Sequence, residues 1–238
     1  MKSMLKTLMY CAPVLAACLA AGVLLSQEQA TLSSFTTPLD GQEDGVKRNI
    51  ALAAKKLQGT VIAPGAAFSF NDTVGEGSAR GGYVDGRVLY REGAAEEPGG
   101  GICQVSTTAF NAFLRAGFEI VTRHRHSQPV AYAPPGLDAT IKYGKKDLVM
   151  KNPWPFPVTV LAGIAGESLT VSLRSPNALP FHFTVETEEE EIVLPLGDDG
   201  REVRNGISSH VYRLKHRDGK VLEKRLMYRD YYPPAYAR

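Results

Sequence analysis

Helical periodicity occurs twice in this chain, both times before residue 118, and every patterned stretch after that point reads as strand. That asymmetry points to an α+β fold, with two main helices packed on a mostly antiparallel β-sheet and a β-rich C-terminal extension. In the first helical pattern Val46, Ile50, Ala53, Ala54 and Leu57 recur at helical spacing, and Gly59 supplies the stop. Asp40 with Glu43 three positions later suggests a capping box ahead of it. In the second, Val105, Ala109, Phe110, Phe113 and Leu114 form the stripe and Gly117 ends it. Between the two, Val61-Ile62 and Phe68-Ser69-Phe70 read as short strands around a Pro64-Gly65 turn. The glycine-rich stretch from Gly75 to Gly86 reads as a mobile loop.

Downstream, strands are expected at Glu119 to Arg123, Asp138 to Tyr143, Asp147 to Lys151, Val158 to Leu161 and Leu169 to Leu173. A further set, at Phe181 to Val185, His210 to Lys215 and Val221 to Met227, makes residues 178–238 a small β extension to an α+β domain at 44–177. Ser33 to Gln42 is polar with Pro38 and Gly41, so residues 27–43 read as a linker.

The N-terminus sets the compartment. Lys2 and Lys6 precede a charge-free apolar run from Leu8 to Leu25, long enough to cross most of a bilayer core. Positive charge on that side favours a cytoplasmic N-terminus and a translocated remainder, an extracytoplasmic, membrane-anchored protein. Residues 1–26 are thus a signal or anchor. Leu15-Ala16-Ala17-Cys18 resembles a lipobox, but the apolar run continues past Cys18 and favours an uncleaved anchor. Cys11 and Cys18 belong to that segment, so Cys103 is the one thiol of the folded part. A net charge of +2 gives no field to attract nucleic acid, and no partner of that kind is expected.

Cys103 follows Gly99-Gly100-Gly101 at the start of the second helix. The helix dipole and free N–H groups there favour a thiolate, and the glycines leave the sulfur approachable. The N–H groups of Cys103 and Gln104, with that of Gly101, could hold an oxyanion. A thiol nucleophile needs a base, itself held by a third group. An extended Arg123-His124-Arg125-His126 would put both histidines on one face and both arginines on the other. Asp138, twelve residues beyond His126, could reach the imidazole from the next strand. His124 and His126 with Cys103 and Asp138 also offer four zinc ligands, though at no known finger spacing. A buried Cys103 that only packs is the plain alternative. The Glu188 to Glu191 run reads as a solvated face, with Ca²⁺ a remote use.

The order of motifs carries a resemblance. Asn49-Ile50-x-x-Ala53-Ala54, Pro64-Gly65-x-x-Phe68-Ser69-Phe70-Asn71, Gly82-Tyr83, Gly99-Gly100-Gly101-Ile102-Cys103-Gln104-Val105-Ser106-Thr107-Thr108, His126-Ser127, Tyr132, Pro135-Gly136-x-Asp138-Ala139 and Asp147-Leu148 together look like the VanW family. The match runs from about residue 45 to about 175, and Tyr231-Tyr232-Pro233-Pro234 also resembles the end of such proteins. The family is named for an accessory component of vancomycin-resistance clusters and is typically exported. The resemblance therefore implies a role at the cell wall, with a cell-wall peptide or glycan as partner. It also favours His126, in the His-Ser motif, as the base.

Two functions follow. One is a thiol enzyme acting on cell-wall peptides, with Cys103, His126, Asp138 and Gln104 catalytic and Gly100, Gly101, His124, Ser106 and Tyr132 contacting substrate, and no cofactor. Cysteine on a helix N-terminus, histidine on one strand and aspartate on the next is similar to the order in transglutaminase-like and papain-type enzymes. The other is a non-catalytic wall-binding module that grips glycan or peptide through its glycine-rich loop and exposed aromatics.

Overall fold

A computed structural model describes residues 29–90, 93–193 and 203–236. The expected signal or anchor at 1–26 lies outside the described residues. No helix among them is long and apolar enough to cross a membrane.

The chain runs β1 (Ala30–Pro38), α1 (Asp44–Leu57), β2 (Val61–Ile62), β3 (Ala67–Ser69), α2 (Phe70–Val74), a 3₁₀ turn (Ala79–Gly81), β4 (Asp85–Tyr90), β5 (Gly93–Pro98) and α3 (Ile102–Arg115). It continues through β6 (Glu119–Thr122), β7 (Val149–Lys151), β8 (Val158–Ala165), β9 (Ser168–Ser175) and β10 (His182–Ile192). It ends with β11 (Val203–Arg204), β12 (Gly206–Arg217), β13 (Lys220–Tyr232) and β14 (Ala235–Tyr236). The sheets are ordered β1-β9-β8-β2, β3-β7-β6, β4-β5, β10-β12-β13 and β11-β14, and each pairing is antiparallel. The fold is α+β, as the distribution of periodicities requires.

Helix α3 is the centre of the molecule. Apart from Cys103, every residue from Ile102 to Leu114 is buried, and the polar ones among them, Gln104, Ser106, Thr107, Thr108 and Asn111, are all hydrogen-bonded. Val158, Val160, Leu169, Val171 and Leu173 alternate inward from β8 and β9 into the core that α1 and α3 share. Phe113 of α3 packs between Phe68 and Phe118, each with its ring centroid 4.9 Å away. Helix α1 buries Val46, Ile50, Ala53, Ala54 and Leu57, the stripe expected of it.

Several local expectations change. Glu43 is the N-cap of α1 and no side chain caps it, so the Asp40–Glu43 box does not form; Asp44 in the first turn complements the dipole instead. Much of the 27–43 linker is β1, which pairs with β9 some 140 residues later and ties into α3. Thr37 Oγ1 lies 2.8 Å from Thr108 Oγ1, and Ser33 Oγ donates to the Ala112 carbonyl at 2.7 Å. Part of the glycine-rich loop enters the β4-β5 hairpin. Phe70 opens α2 rather than ending a strand, with the Ser69 hydroxyl accepting from the Asp72 N–H. Residues 138–141 form no strand, and Lys142 meets Lys146 in an isolated antiparallel bridge.

The β10-β12-β13 sheet docks on this body. Gly117 has φ +83°, and a Cβ there would stand 2.6 Å from Phe183 and 2.8 Å from Trp154, so the glycine that stops α3 also admits the C-terminal sheet. Arg213 from β12 donates to the Phe118 carbonyl at 2.8 Å. Val211, Leu214 and Tyr232 are buried, whereas β13 is exposed from Lys220 to Arg225.

Candidate functional site

Glycines place the thiol. Gly101 is the N-cap of α3 at φ +100°, a conformation that costs a side-chain-bearing residue, and a Cβ on it would meet Val46 at 2.8 Å. A Cβ on Gly100 would fall 2.4 Å from the Gly86 carbonyl. Buried Asn49 on α1 seals this contact, donating to the Gly100 and Val84 carbonyls at 3.0 and 2.8 Å and accepting from the Val84 N–H at 2.9 Å. Gly100 and Gly101 thus bring three backbones together and start α3 at a fixed point. Close packing, rather than access to substrate, explains them.

From that start Cys103 projects toward residues 140–141. Its Sγ lies 3.5 Å from Thr140 Oγ1 and 3.7 Å from the Ile141 carbonyl oxygen, and the residue is partly exposed. The segment it faces is strapped to the same helix. Ser106 donates to the Ala139 carbonyl, Thr107 Oγ1 accepts from the Ala139 N–H at 3.0 Å, and Asn111 donates to the Leu137 carbonyl at 2.6 Å. Ser106, expected to touch substrate, is instead a buried strut.

Asp138, held in that strap, is buried and fully engaged. Its Oδ2 accepts from the His126 ring at Nδ1 and from the His126 backbone N–H, both at 2.6 Å. Its Oδ1 accepts from the Tyr232 hydroxyl and, at 3.2 Å, from Arg123 Nη2. Arg123 also donates from Nε to the Asp138 carbonyl at 2.7 Å and bridges to Asp230 at 2.7 Å. Arg123 and His126 therefore grip the two oxygens of one carboxylate. The expected alternation of faces fails because β6 ends at Thr122 and the chain beyond is not a strand. His124 stays outside this network. Its backbone carbonyl accepts from the Thr140 N–H at 2.8 Å, and its ring makes no hydrogen bond among the described residues.

With Nδ1 fixed by Asp138, Nε2 is the ring nitrogen left for the thiol, and the Tyr132 hydroxyl lies 3.5 Å from it. Burial alone would raise the thiol pKa, but the hydrogen bond and charge of His126 pull it below the ordinary value, helped by the Ile141 backbone and Thr140. Burial would lower the His126 pKa; the hydrogen bond to Asp138, with the influence of the Cys103 thiol, overcomes that and raises it to about 9. Burial likewise opposes ionisation of Asp138, and His126, Tyr232 and Arg123 hold it below the usual carboxylate range. Burial, then the charges of Cys103 and Asp138, push Tyr132 well up, so it stays a hydroxyl donor. The arrangement favours a thiolate beside an imidazolium backed by a carboxylate.

Gln104 takes no part in it. Its side chain donates to the Pro38 carbonyl at 2.7 Å and Thr37 Oγ1 at 3.1 Å, and accepts from Gln42 at 3.0 Å. Its N–H is engaged by the Gly101 carbonyl at 3.0 Å, which withdraws it from any oxyanion. The N–H groups of Cys103 and Gly101 have no backbone acceptor outside regular elements among the described residues and are the remaining candidate donors. No group of three or more His, Cys, Asp or Glu among the described residues is arranged to hold a metal ion. The four residues weighed as zinc ligands do not form such a group, since both oxygens of Asp138 are taken by donors and the His124 ring stands apart. Glu188 pairs with Lys224 at 3.0 Å on the exposed sheet.

Sequence reasoning did not find Arg123, Thr140, Tyr228, Asp230 or Tyr232. Tyr228 donates to the Gly136 carbonyl at 2.7 Å, and Tyr232 accepts from the Gly136 N–H at 2.9 Å. The Tyr231-Tyr232-Pro233-Pro234 motif was the available signal, and it pointed to this strand without saying where its tyrosine would land.

Fold and site define an α+β protein with a single thiol opening a central helix and a hydrogen-bonded histidine and aspartate beside it. The chain belongs to the VanW family: the model described as "VanW like protein" matches residues 46–174. It is 36% identical over 148 residues to the uncharacterized protein YoaR of Bacillus subtilis, covering 62% of this chain and 49% of that protein. It is also 36% identical over 136 residues to the vancomycin B-type resistance protein VanW of Enterococcus faecalis, covering 54% of this chain and 49% of that one. The chain thus spans about half the length of the curated relatives it matches. No solved structure matches it.

Proposed function

We propose that this protein is an exported cell-envelope thiol enzyme that transfers or hydrolyses acyl groups on cell-wall peptides. The supporting observation is the geometry in which Asp138 fixes Nδ1 of His126 while Cys103, at the start of α3, faces the segment that follows Asp138. In the first step Sγ attacks an amide carbonyl carbon and the imidazolium gives its proton to the departing amine, so a C–S bond forms as the C–N bond breaks. In the second, water or an amine attacks the thioester, the imidazole takes its proton, and the C–S bond breaks to restore the thiolate. The Cys103 N–H would receive the oxyanion in both. Export rests on the apolar run Leu8 to Leu25, and the wall as location on the family. For a purely binding role, Phe68, Phe70 and Tyr83 are buried in the core and cannot stack on sugars, and Tyr143 and Tyr231 are the exposed aromatics that could.

Alkylation of Cys103 by iodoacetamide, followed by mass spectrometry of its peptide in the full chain, tests this. The rate is expected to hold up well below pH 8.5, where a free thiol falls off. At pH 6.5 His126→Ala should slow it about tenfold, since the thiolate fraction drops more than nucleophilicity rises. A wild-type profile that tracks a free thiol and is indifferent to His126→Ala would overturn the enzyme reading.

A further inference from the structure

The loop that leads away from the thiol carries the most exposed charge near it. Ile141, whose carbonyl lies 3.7 Å from Sγ, is followed at once by Lys142-Tyr143-Gly144-Lys145-Lys146. This segment is a closed hairpin: the Lys142 N–H donates to the Lys146 carbonyl at 2.9 Å, and the Lys146 and Lys145 N–H groups donate to the Lys142 carbonyl, each at 2.8 Å. Asn71 fixes its far end by donating to the Lys146 carbonyl at 2.9 Å. All five residues are exposed, with Tyr143 at 52%, and none of the three lysines forms an ion pair among the described residues. The adjoining carboxylate, Asp147, is already engaged by the Ser69 hydroxyl and the N–H groups of Asn71 and Leu148.

Resting on the thiol-enzyme reading, we propose that the Lys142–Lys146 hairpin is a substrate-facing wall selecting an acidic peptide, one with a carboxylate close to the reacting carbonyl. A cationic hairpin that begins next to the residue whose carbonyl meets Sγ raises the local concentration of anionic acyl donors, and it does so most at low salt. Tyr143 adds an apolar face for the peptide backbone to lie on.

Two reagents of the same size and opposite character test the inference in the full chain. The ratio of iodoacetate to iodoacetamide rates at Cys103 is measured at low ionic strength in the wild type and in Lys142→Gln/Lys145→Gln/Lys146→Gln. The ratio should fall about threefold in the triple variant, with the iodoacetamide rate unchanged, and the difference should vanish in high salt. His126 acts equally in both proteins and cancels. Lys151→Gln, which removes a lysine paired with Glu119 elsewhere on the surface, should leave the ratio as it was. An unchanged ratio in the triple variant overturns the proposal and leaves the hairpin as a surface patch for some other polyanion. Failure of the enzyme reading is separate and shows as slow iodoacetamide alkylation indifferent to His126→Ala.

Discussion

The body formed by residues 44–175 and the sheet formed by β10, β12 and β13 are built on opposite terms. The body supplies nearly all of the hydrophobic core, which Val211 of the sheet joins, with α3 buried along almost its whole length between α1 and the alternating faces of β8 and β9. The sheet buries little beyond Val211, Leu214 and Tyr232, and a three-stranded sheet needs an apolar surface to pack on. Yet the sheet supplies Tyr232 to Asp138 and Asp230 to Arg123, contacts the body cannot make from its own residues. The matched family region ends at residue 174, so one of the four hydrogen bonds to a carboxylate inside that region, that of Tyr232, comes from a strand beyond it. Burial runs one way across the contact and polar support runs the other.

Removing residues 178–238 would break this exchange most severely. The truncated chain should lose its cooperative thermal transition, because Arg123 keeps Asp138 but loses Asp230 while Asp138 loses Tyr232, and breaking a buried charge pair costs about 3–5 kcal/mol. An unchanged melting curve by circular dichroism would mean that the body stands alone. Tyr232→Phe isolates the polar support. It deprives Asp138 Oδ1 and the Gly136 N–H of one partner each, and should cost about 2 kcal/mol in urea unfolding. A loss below a few tenths would show that Arg123 alone suffices. At the other extreme, Leu222→Ser on the outward half of β13, where Leu222 is 56% exposed, should change stability by no more than about 0.5 kcal/mol. A larger loss would mean that the outer strand is covered in the native protein.

Local pattern made the helices and most strands legible, since α1 and α3 bury the stripes their spacing marks out. Long-range partners hid the rest. Strand β1 is rich in serine and threonine and reads as linker until β9 is there to pair with it. Gly100 reads as an opening in a chain seen alone, whereas the Gly86 carbonyl 2.4 Å from its missing Cβ makes it a point of contact. Cys103, His126 and Asp138 were recognisable by residue type and motif, and Asp138 holds the His126 ring at Nδ1. The strand geometry imagined for His126 and Asp138 did not appear, because hydrogen bonds from Ser106, Thr107 and Asn111 set the position of residues 137–139 in place of sheet pairing. Arg123 escaped notice because its role depends on a carboxylate 107 residues away.

Those three side chains have a mechanical consequence. The helix that begins beside the sulfur also carries, along its first three turns, the pegs that hold the aspartate's loop. Sulfur and carboxylate therefore share one rigid lever, and a shear between the surrounding sheets would carry both together and leave their separation untouched.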